Sequence, residues 1–104
     1  MTQDGYQHPA IEDVSLPDVL HALSDPLRLS IVAALRDGGC ERGWGEFETR
    51  VAASTLSHHM KVLRLAGLIH TRREGTRCQV SLRPEIDARF PGLLATVVGL
   101  AAAE

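Results

Sequence analysis

Apolar residues recur along this chain at helical spacing in four stretches and at strand spacing in one. Leu16, Val19, Leu20 and Leu23 mark one face of a short helix, with Ser15 able to cap it and Pro17 suited to its first turn. Ser24-Asp25-Pro26 starts a second helix running to about Asp37. There Leu27, Ile31, Ala34 and Leu35, broadened by Leu29, Val32 and Ala33, predict a nearly all-round buried element that Gly38-Gly39 stops. At about 100° per residue, Ala52, Ala53, Leu56, Met60 and Leu63 share a face, predicting a helix over about 52–66 that ends at Gly67 in the left-handed conformation. Cys78, Val80 and Leu82 then alternate with Arg77, Gln79 and Ser81, the period-two signature of a half-buried strand, and residues 68–82 predict a hairpin around Glu74-Gly75. Pro84 starts a short turn through Arg89. Pro91 begins a last helix with Phe90, Leu93, Leu94, Val97, Val98 and Ala101 as its stripe. The sum is a mainly α fold with a small β-hairpin.

Two stretches carry no sustained period. Residues 1–14 predict a flexible N-terminal arm, either a poorly ordered tail or a short docking arm, with no functional role expected of it, ahead of one domain over residues 15–104. In residues 38–51 four glycines within eight residues favour a loop, with Trp44 and Phe47 anchoring it and at most one helical turn near residues 45–50. Ala52 stands where a Ser or Thr helix cap is expected, a loss of roughly 1 kcal/mol unless Thr49 substitutes.

A chain of 104 residues is one small domain, and at that size help from a partner subunit is expected. No apolar run reaches the roughly 20 residues that span a bilayer, so a cytoplasmic location without a membrane partner is expected. Cys40 and Cys78 cannot build a secreted-type disulfide framework and predict free thiols. The net charge of −2 conceals an asymmetry. Residues 1–49 hold three Arg or Lys against nine acids, a balance of −6. Residues 50–83 hold seven against Glu74 alone, a balance of +6, and residues 84–104 give −2. Phosphate binding depends on local potential within about 10 Å, so the basic segment decides what the chain can bind.

That segment contains a hydrogen-bonding helix face. Ser54, His58 and Lys61 fall opposite the apolar stripe, with Ser57 and Arg64 beside them. Short side chains at the N-terminal end and cations further along suit a helix lying in a DNA major groove. An isolated face of this kind also fits a solvated surface helix. The hairpin behind it adds Arg72, Arg73 and Arg77 around its tip, as a wing that reaches phosphates or the minor groove. The apolar last helix has to pack inside the monomer or pair with a copy of itself. Pairing predicts a homodimer and a palindromic operator in double-stranded DNA. The competing reading is a winged-helix module that binds only protein. An enzyme is not expected: His58 and His59 point about 100° apart with no acid within a turn to complete a catalytic or metal set.

Three blocks, Leu20-His-Ala-Leu-Ser-Asp-Pro-Leu-Arg-Leu-Ser-Ile-Val32, Ser54-Thr-Leu-Ser-His-His-Met-Lys-Val-Leu-Arg-Leu-Ala-Gly-Leu68 and Arg72-Arg-Glu-Gly-Thr-Arg77, resemble the ArsR/SmtB family of bacterial winged-helix repressors over roughly residues 16–100. The resemblance implies a winged helix-turn-helix homodimer with helices at both ends in its interface, releasing operator DNA when an inducer or modification arrives. It implies that Ser54, Thr55, Ser57, His58, Lys61 and Arg64 face DNA, and His59 is expected to be a half-buried packing residue. Metal-responsive members carry a Cys-x-Cys on the supporting helix, where this chain reads Gly-Trp-Gly-Glu-Phe-Glu. A second metal site of the family uses His and acidic residues on the last helix, and no His follows His70 here. No metal and no cofactor are therefore expected, and the inducer stays unassigned. Cys40 or Cys78 as a thiol sensor is the remaining regulatory reading, set against Cys78 as a small core residue of the wing strand.

Overall fold

A computed structural model describes residues 6–38, 41–47 and 51–104. Among these residues lie helices α1 (Leu16–Leu23), α2 (Pro26–Gly38), α3 (Ala53–Leu65), α4 (Glu85–Arg89) and α5 (Leu93–Ala102). Strands β1 (Arg42–Gly43), β2 (Ile69–Glu74) and β3 (Arg77–Leu82) form one antiparallel sheet in the order β1-β3-β2, and single 3₁₀ turns occupy Ile11–Asp13 and Trp44–Phe47. The architecture is the mainly helical winged fold that the hydrophobic pattern predicts, with one strand more. Strand β1 pairs Arg42 with Val80 and Gly43 with Gln79. Two residues in a glycine-rich segment are too short to show a period, so this strand left no trace in the pattern.

Helix α1 starts where Ser15 Oγ accepts the Asp18 amide at 3.2 Å. It buries Val19, Ala22 and Leu23, while Leu16 and Leu20 stay 42% and 46% exposed. The stripe assigned to Leu16, Val19, Leu20 and Leu23 is therefore split. The face at residues 19, 22 and 23 enters the core, and the i, i+4 pair Leu16/Leu20 remains outside it. Helix α2 is capped by Asp25, whose Oδ2 accepts the amides of Leu27 at 2.9 Å and Arg28 at 3.0 Å. It buries Ile31, Val32 and Leu35, with Leu27, Leu29, Ala33 and Ala34 only half-covered rather than enclosed all round.

The buried residue of α2 that the pattern does not foresee is Arg28, 7% exposed. Its Nε donates to the Ala22 carbonyl at 2.8 Å and one terminal nitrogen donates to the His21 carbonyl at 3.3 Å. These are last-turn carbonyls of α1; the His21 carbonyl also accepts from the Ser24 amide at 3.1 Å and the Ser24 hydroxyl at 2.6 Å, and a cation there complements the negative end of the helix dipole. The other terminal nitrogen meets His59 Nδ1 on α3 at 3.0 Å. Asp25 lies 3.8 Å from the same Nδ1 atom. One side chain thus ties three helices together. His59 is half-buried, as expected for a packing residue.

Leu56, Met60 and Leu63 of α3 are buried against this assembly, each worth about 1.5–3 kcal/mol relative to exposure, while Ala52 and Ala53 at the helix start stay exposed. The helix closes with the Leu68 amide on the Leu63 carbonyl at 3.1 Å and the Gly67 amide on the Arg64 carbonyl at 3.0 Å. That is the paired bonding of a Schellman motif, and Gly67 takes its left-handed position at φ 90°. A Cβ on Gly67 would overlap the side chain of Val14, itself buried. Residues 6–14, which as a tail or arm could have gone either way, are docked. His8 Nε2 accepts the Thr71 amide of β2 at 2.9 Å, and its ring stacks on His70 at 4.4 Å. Arg83 donates to the Pro9 carbonyl at 2.6 Å.

Helix α5 begins at Leu93 rather than Pro91, behind a left-handed Gly92, and only Leu94 of its stripe is buried. Phe90, Leu93, Val97, Val98 and Ala101 are half-covered, and Leu100 is 66% exposed.

Candidate nucleic-acid interface

The polar face of α3 is open. Ser54, Thr55, Ser57, His58 and Lys61 are all exposed, and residues 54, 57, 58 and 61 follow the i, i+3, i+4, i+7 spacing that makes one continuous strip. The strip looks outward because Leu56, Met60 and Leu63 fix the opposite side inward. Ala52 contributes no side-chain cap, so the expected weak start of the helix is present; Thr49, the alternative cap, lies outside the described residues. Arg64, one turn beyond Lys61, is half-buried, and its guanidinium lies 5.1 Å from the centroid of the Tyr6 ring.

The wing leaves the body of the molecule after its last buried pair, Thr71 opposite Val80. Beyond it the register runs Arg72 to Gln79, Arg73 to Cys78 and Glu74 to Arg77, closing on the two-residue loop Gly75-Thr76. Gly75 has φ 64° and no residue other than glycine has a positive φ among the described residues, so the loop is the type II′ hairpin turn, which needs glycine first. The turn centre falls one residue later than Glu74-Gly75. The alternation expected of β3 is weak: only Val80 is fully buried, and Cys78, Gln79, Ser81 and Leu82 are half-covered.

The three wing arginines differ in state. Arg77 and Arg73 are exposed. Arg72 is held by Glu41 through two bonds at 2.7 and 2.6 Å, and by Glu74 at 2.9 Å. These bonds push the Arg72 guanidinium further up its already high range, and the same pairing lowers the Glu41 carboxyl. Arg83 is turned toward Pro9 and Glu85, away from the strip. Of the described cations in the basic segment, Lys61, Arg64, Arg73 and Arg77 are therefore the ones without a carboxylate partner in the structure. Arg50 and the candidate thiol Cys40 lie outside the described residues. Cys78 is a free, half-buried cysteine bonded to the Tyr6 hydroxyl at 3.0 Å, closer to a packed strand residue than to an exposed thiol. Beside it, a hollow of about 560 Å³ lies between Trp44, Tyr6, Ser57 and the wing residues Arg77 and Gln79. Among the described residues no three His, Cys, Asp or Glu side chains gather where they could hold a metal ion, and no helix is long and apolar enough to cross a membrane.

Sequence reasoning missed Glu41 and Tyr6. Glu41 precedes its partner by 31 positions in a segment without a period, so no spacing signals the pair. Tyr6 offered one weak sign, the sole aromatic residue of the arm apart from His8.

A solvent-facing helix strip set beside a cationic two-stranded wing, both carried on a helical core, defines a winged helix-turn-helix DNA-binding transcription regulator. The comparisons with known proteins agree. The family described as bacterial regulatory protein, arsR family, matches residues 25–71. The Bacillus subtilis (strain 168) HTH-type transcriptional regulator YceK is 36% identical over 89 residues, spanning 83% of this chain and 89% of that protein. The crystal structure of the transcriptional repressor BigR from Xylella fastidiosa superposes with a TM-score of 0.60 at 29% identity, covering 85% of this chain and 80% of that one. HlyU from Vibrio cholerae N16961 superposes with a TM-score of 0.66 at 30% identity, covering 81% and 88%. This chain belongs to the arsR family of regulators.

Proposed function

We propose that the protein is a homodimeric, sequence-specific repressor acting on chromosomal operators in the cytoplasm, with no enzymatic role. In this reading α3 lies in the major groove, with Ser54, Thr55, Ser57 and His58 toward base edges and Lys61 and Arg64 on phosphates. Arg73 and Arg77 hold the flanking backbone or minor groove, and Arg72 joins them once freed from its carboxylates. The observation that carries the proposal is the uninterrupted exposed strip Ser54-Ser57-His58-Lys61, standing beside a wing whose tip arginines face solvent. Dimerisation is supported by the apolar surface a single chain leaves open: Leu16 and Leu20 on α1, Leu100 on α5, and the half-covered Phe90, Val97 and Val98. A two-fold pair places two α3 helices on half-sites one helical turn apart, which calls for a palindromic operator. Repression as the mode of action draws on the relatives, among them the repressor BigR.

The test is selection of duplexes from a random pool at near-physiological salt, followed by affinity measurement on the selected site at several salt concentrations. A palindromic consensus is expected, with a steep fall of affinity as salt rises and a slope reduced by about one unit in Lys61→Ala. Light scattering should give twice the chain mass. Salt-insensitive binding, with Lys61→Ala and Arg73→Ala silent, would point instead to the protein-only module.

A further inference from the structure

The recognition helix and the wing follow one another in the chain, and one side chain from a distant segment, outside both of them, touches both. The Arg64 guanidinium of α3 lies 5.1 Å from the Tyr6 ring centroid, within cation–π range. The Tyr6 hydroxyl meets Cys78 Sγ of β3 at 3.0 Å, and Tyr6 and the Arg73 guanidinium of β2 are near enough to act on one another electrostatically. The ring does not hang on these contacts alone. Two residues later His8 takes the Thr71 amide on the free edge of β2 and stacks on His70, and Pro9 is held by Arg83. The arm is thus fastened along β2 before it reaches the junction of helix and wing.

We infer that Tyr6 is a positioning residue for DNA binding, setting the Arg64 and Arg73 guanidiniums and the distance between α3 and the wing before DNA arrives. The inference rests on the DNA-binding reading above. A ring covers one face of a guanidinium and leaves its edge N–H groups open to an anion. The Nε of Arg64 is buried without a hydrogen-bond partner, so the terminal nitrogens are the part of that group left to reach a phosphate. An arginine free in solution has to be immobilised when it binds, whereas one already stacked has met that cost in folding. For two arginines and one helix–wing distance, the combined advantage is on the order of tenfold in affinity. Tyr6 itself adds no charge, so its effect must appear through the arginines it orients.

The experiment is a double-mutant cycle on the full chain, read by fluorescence anisotropy with the selected duplex at fixed protein and salt. Tyr6→Ala is expected to weaken binding on the order of tenfold, and by threefold or less when Arg64→Ala is already present. Tyr6→Phe, which keeps the ring under Arg64 but loses the hydroxyl contacts, should fall between wild type and Tyr6→Ala and recover part of the loss. Thermal midpoints are measured alongside. Should Tyr6→Ala fail to fold, the cycle is run with Tyr6→Phe against Arg73→Ala, where the same non-additivity is expected. Equal losses in both backgrounds, or wild-type affinity for Tyr6→Ala, overturn the positioning role while leaving DNA binding intact. A wild-type chain that binds no duplex in a salt-dependent way overturns the functional reading itself.

Discussion

Replacing Glu41 with glutamine asks whether the wing is partly closed by its own carboxylates. In the free chain Arg72 is gripped by Glu41 at 2.6 and 2.7 Å and by Glu74 at 2.9 Å, so one positive and two negative charges leave −1 where phosphates would approach. Glutamine keeps the size and one acceptor oxygen but removes a charge, bringing the group to neutrality with a single carboxylate rival. Both consequences favour DNA: repulsion falls, and the guanidinium is released to find a phosphate. One added phosphate contact steepens the plot of log affinity against log salt by about 0.9, which over a rise from 50 to 200 mM is a further loss of about 3.5-fold. Anisotropy on the selected duplex across that range should show Glu41→Gln binding more tightly at 50 mM and losing affinity faster. Adding Arg72→Ala should cancel the gain. Weaker binding by Glu41→Gln would refute the reasoning, since Glu41 would then be holding Arg72 where DNA needs it. A gain with unchanged slope would refute the phosphate contact and leave only relief of repulsion.

Other perturbations probe the scaffold. Gly67→Ala forces a side chain into a left-handed position and against Val14, and should lower stability by about 2–4 kcal/mol in urea unfolding; adding Val14→Ala should restore part of it. Arg28→Met leaves the Ala22 and His21 carbonyls without their cation, and a loss of about 3 kcal/mol is expected, lowering the thermal midpoint by roughly 12–24 °C at constant protein concentration. Asp25 caps α2 through the Arg28 and Leu27 amides, and the Arg28 amide bond is the main reason its carboxyl titrates below the usual range. A depressed folded pKa contributes stability that is present above the unfolded value and lost as pH falls through the folded one. Wild type should therefore exceed Asp25→Asn by about 1 kcal/mol at pH 7, and the gap should shrink as pH drops below about 4, measured by urea midpoints at each pH.

What could be read from the chain beforehand follows physical lines. Helix α3 was legible because a long amphipathic period, a left-handed glycine and a cation-bearing face all point the same way, and its strip is open where the spacing placed it. The hairpin was legible through alternation and a glycine turn, although β1 was too short for any pattern and the alternation of β3 is weak. What could not be read were partnerships between distant positions. Arg28 sits in an apolar run and looks solvated until the ends of α1 are brought beside it. Arg72 looks like its neighbours Arg73 and Arg77 until Glu41 arrives from another segment. In α1, Leu16 and Leu20 fit a core stripe as well as a surface one, because a helical period does not say whether the same chain or another covers the second face.

The fit of Val14 into the space a missing Cβ leaves at Gly67 has a practical consequence. Trimming the chain to begin at Ser15 would leave a hole beneath the helix meant to read DNA, and a shortened protein that fails to bind would say nothing about its nucleotide contacts. Expression boundaries for this protein belong ahead of Tyr6.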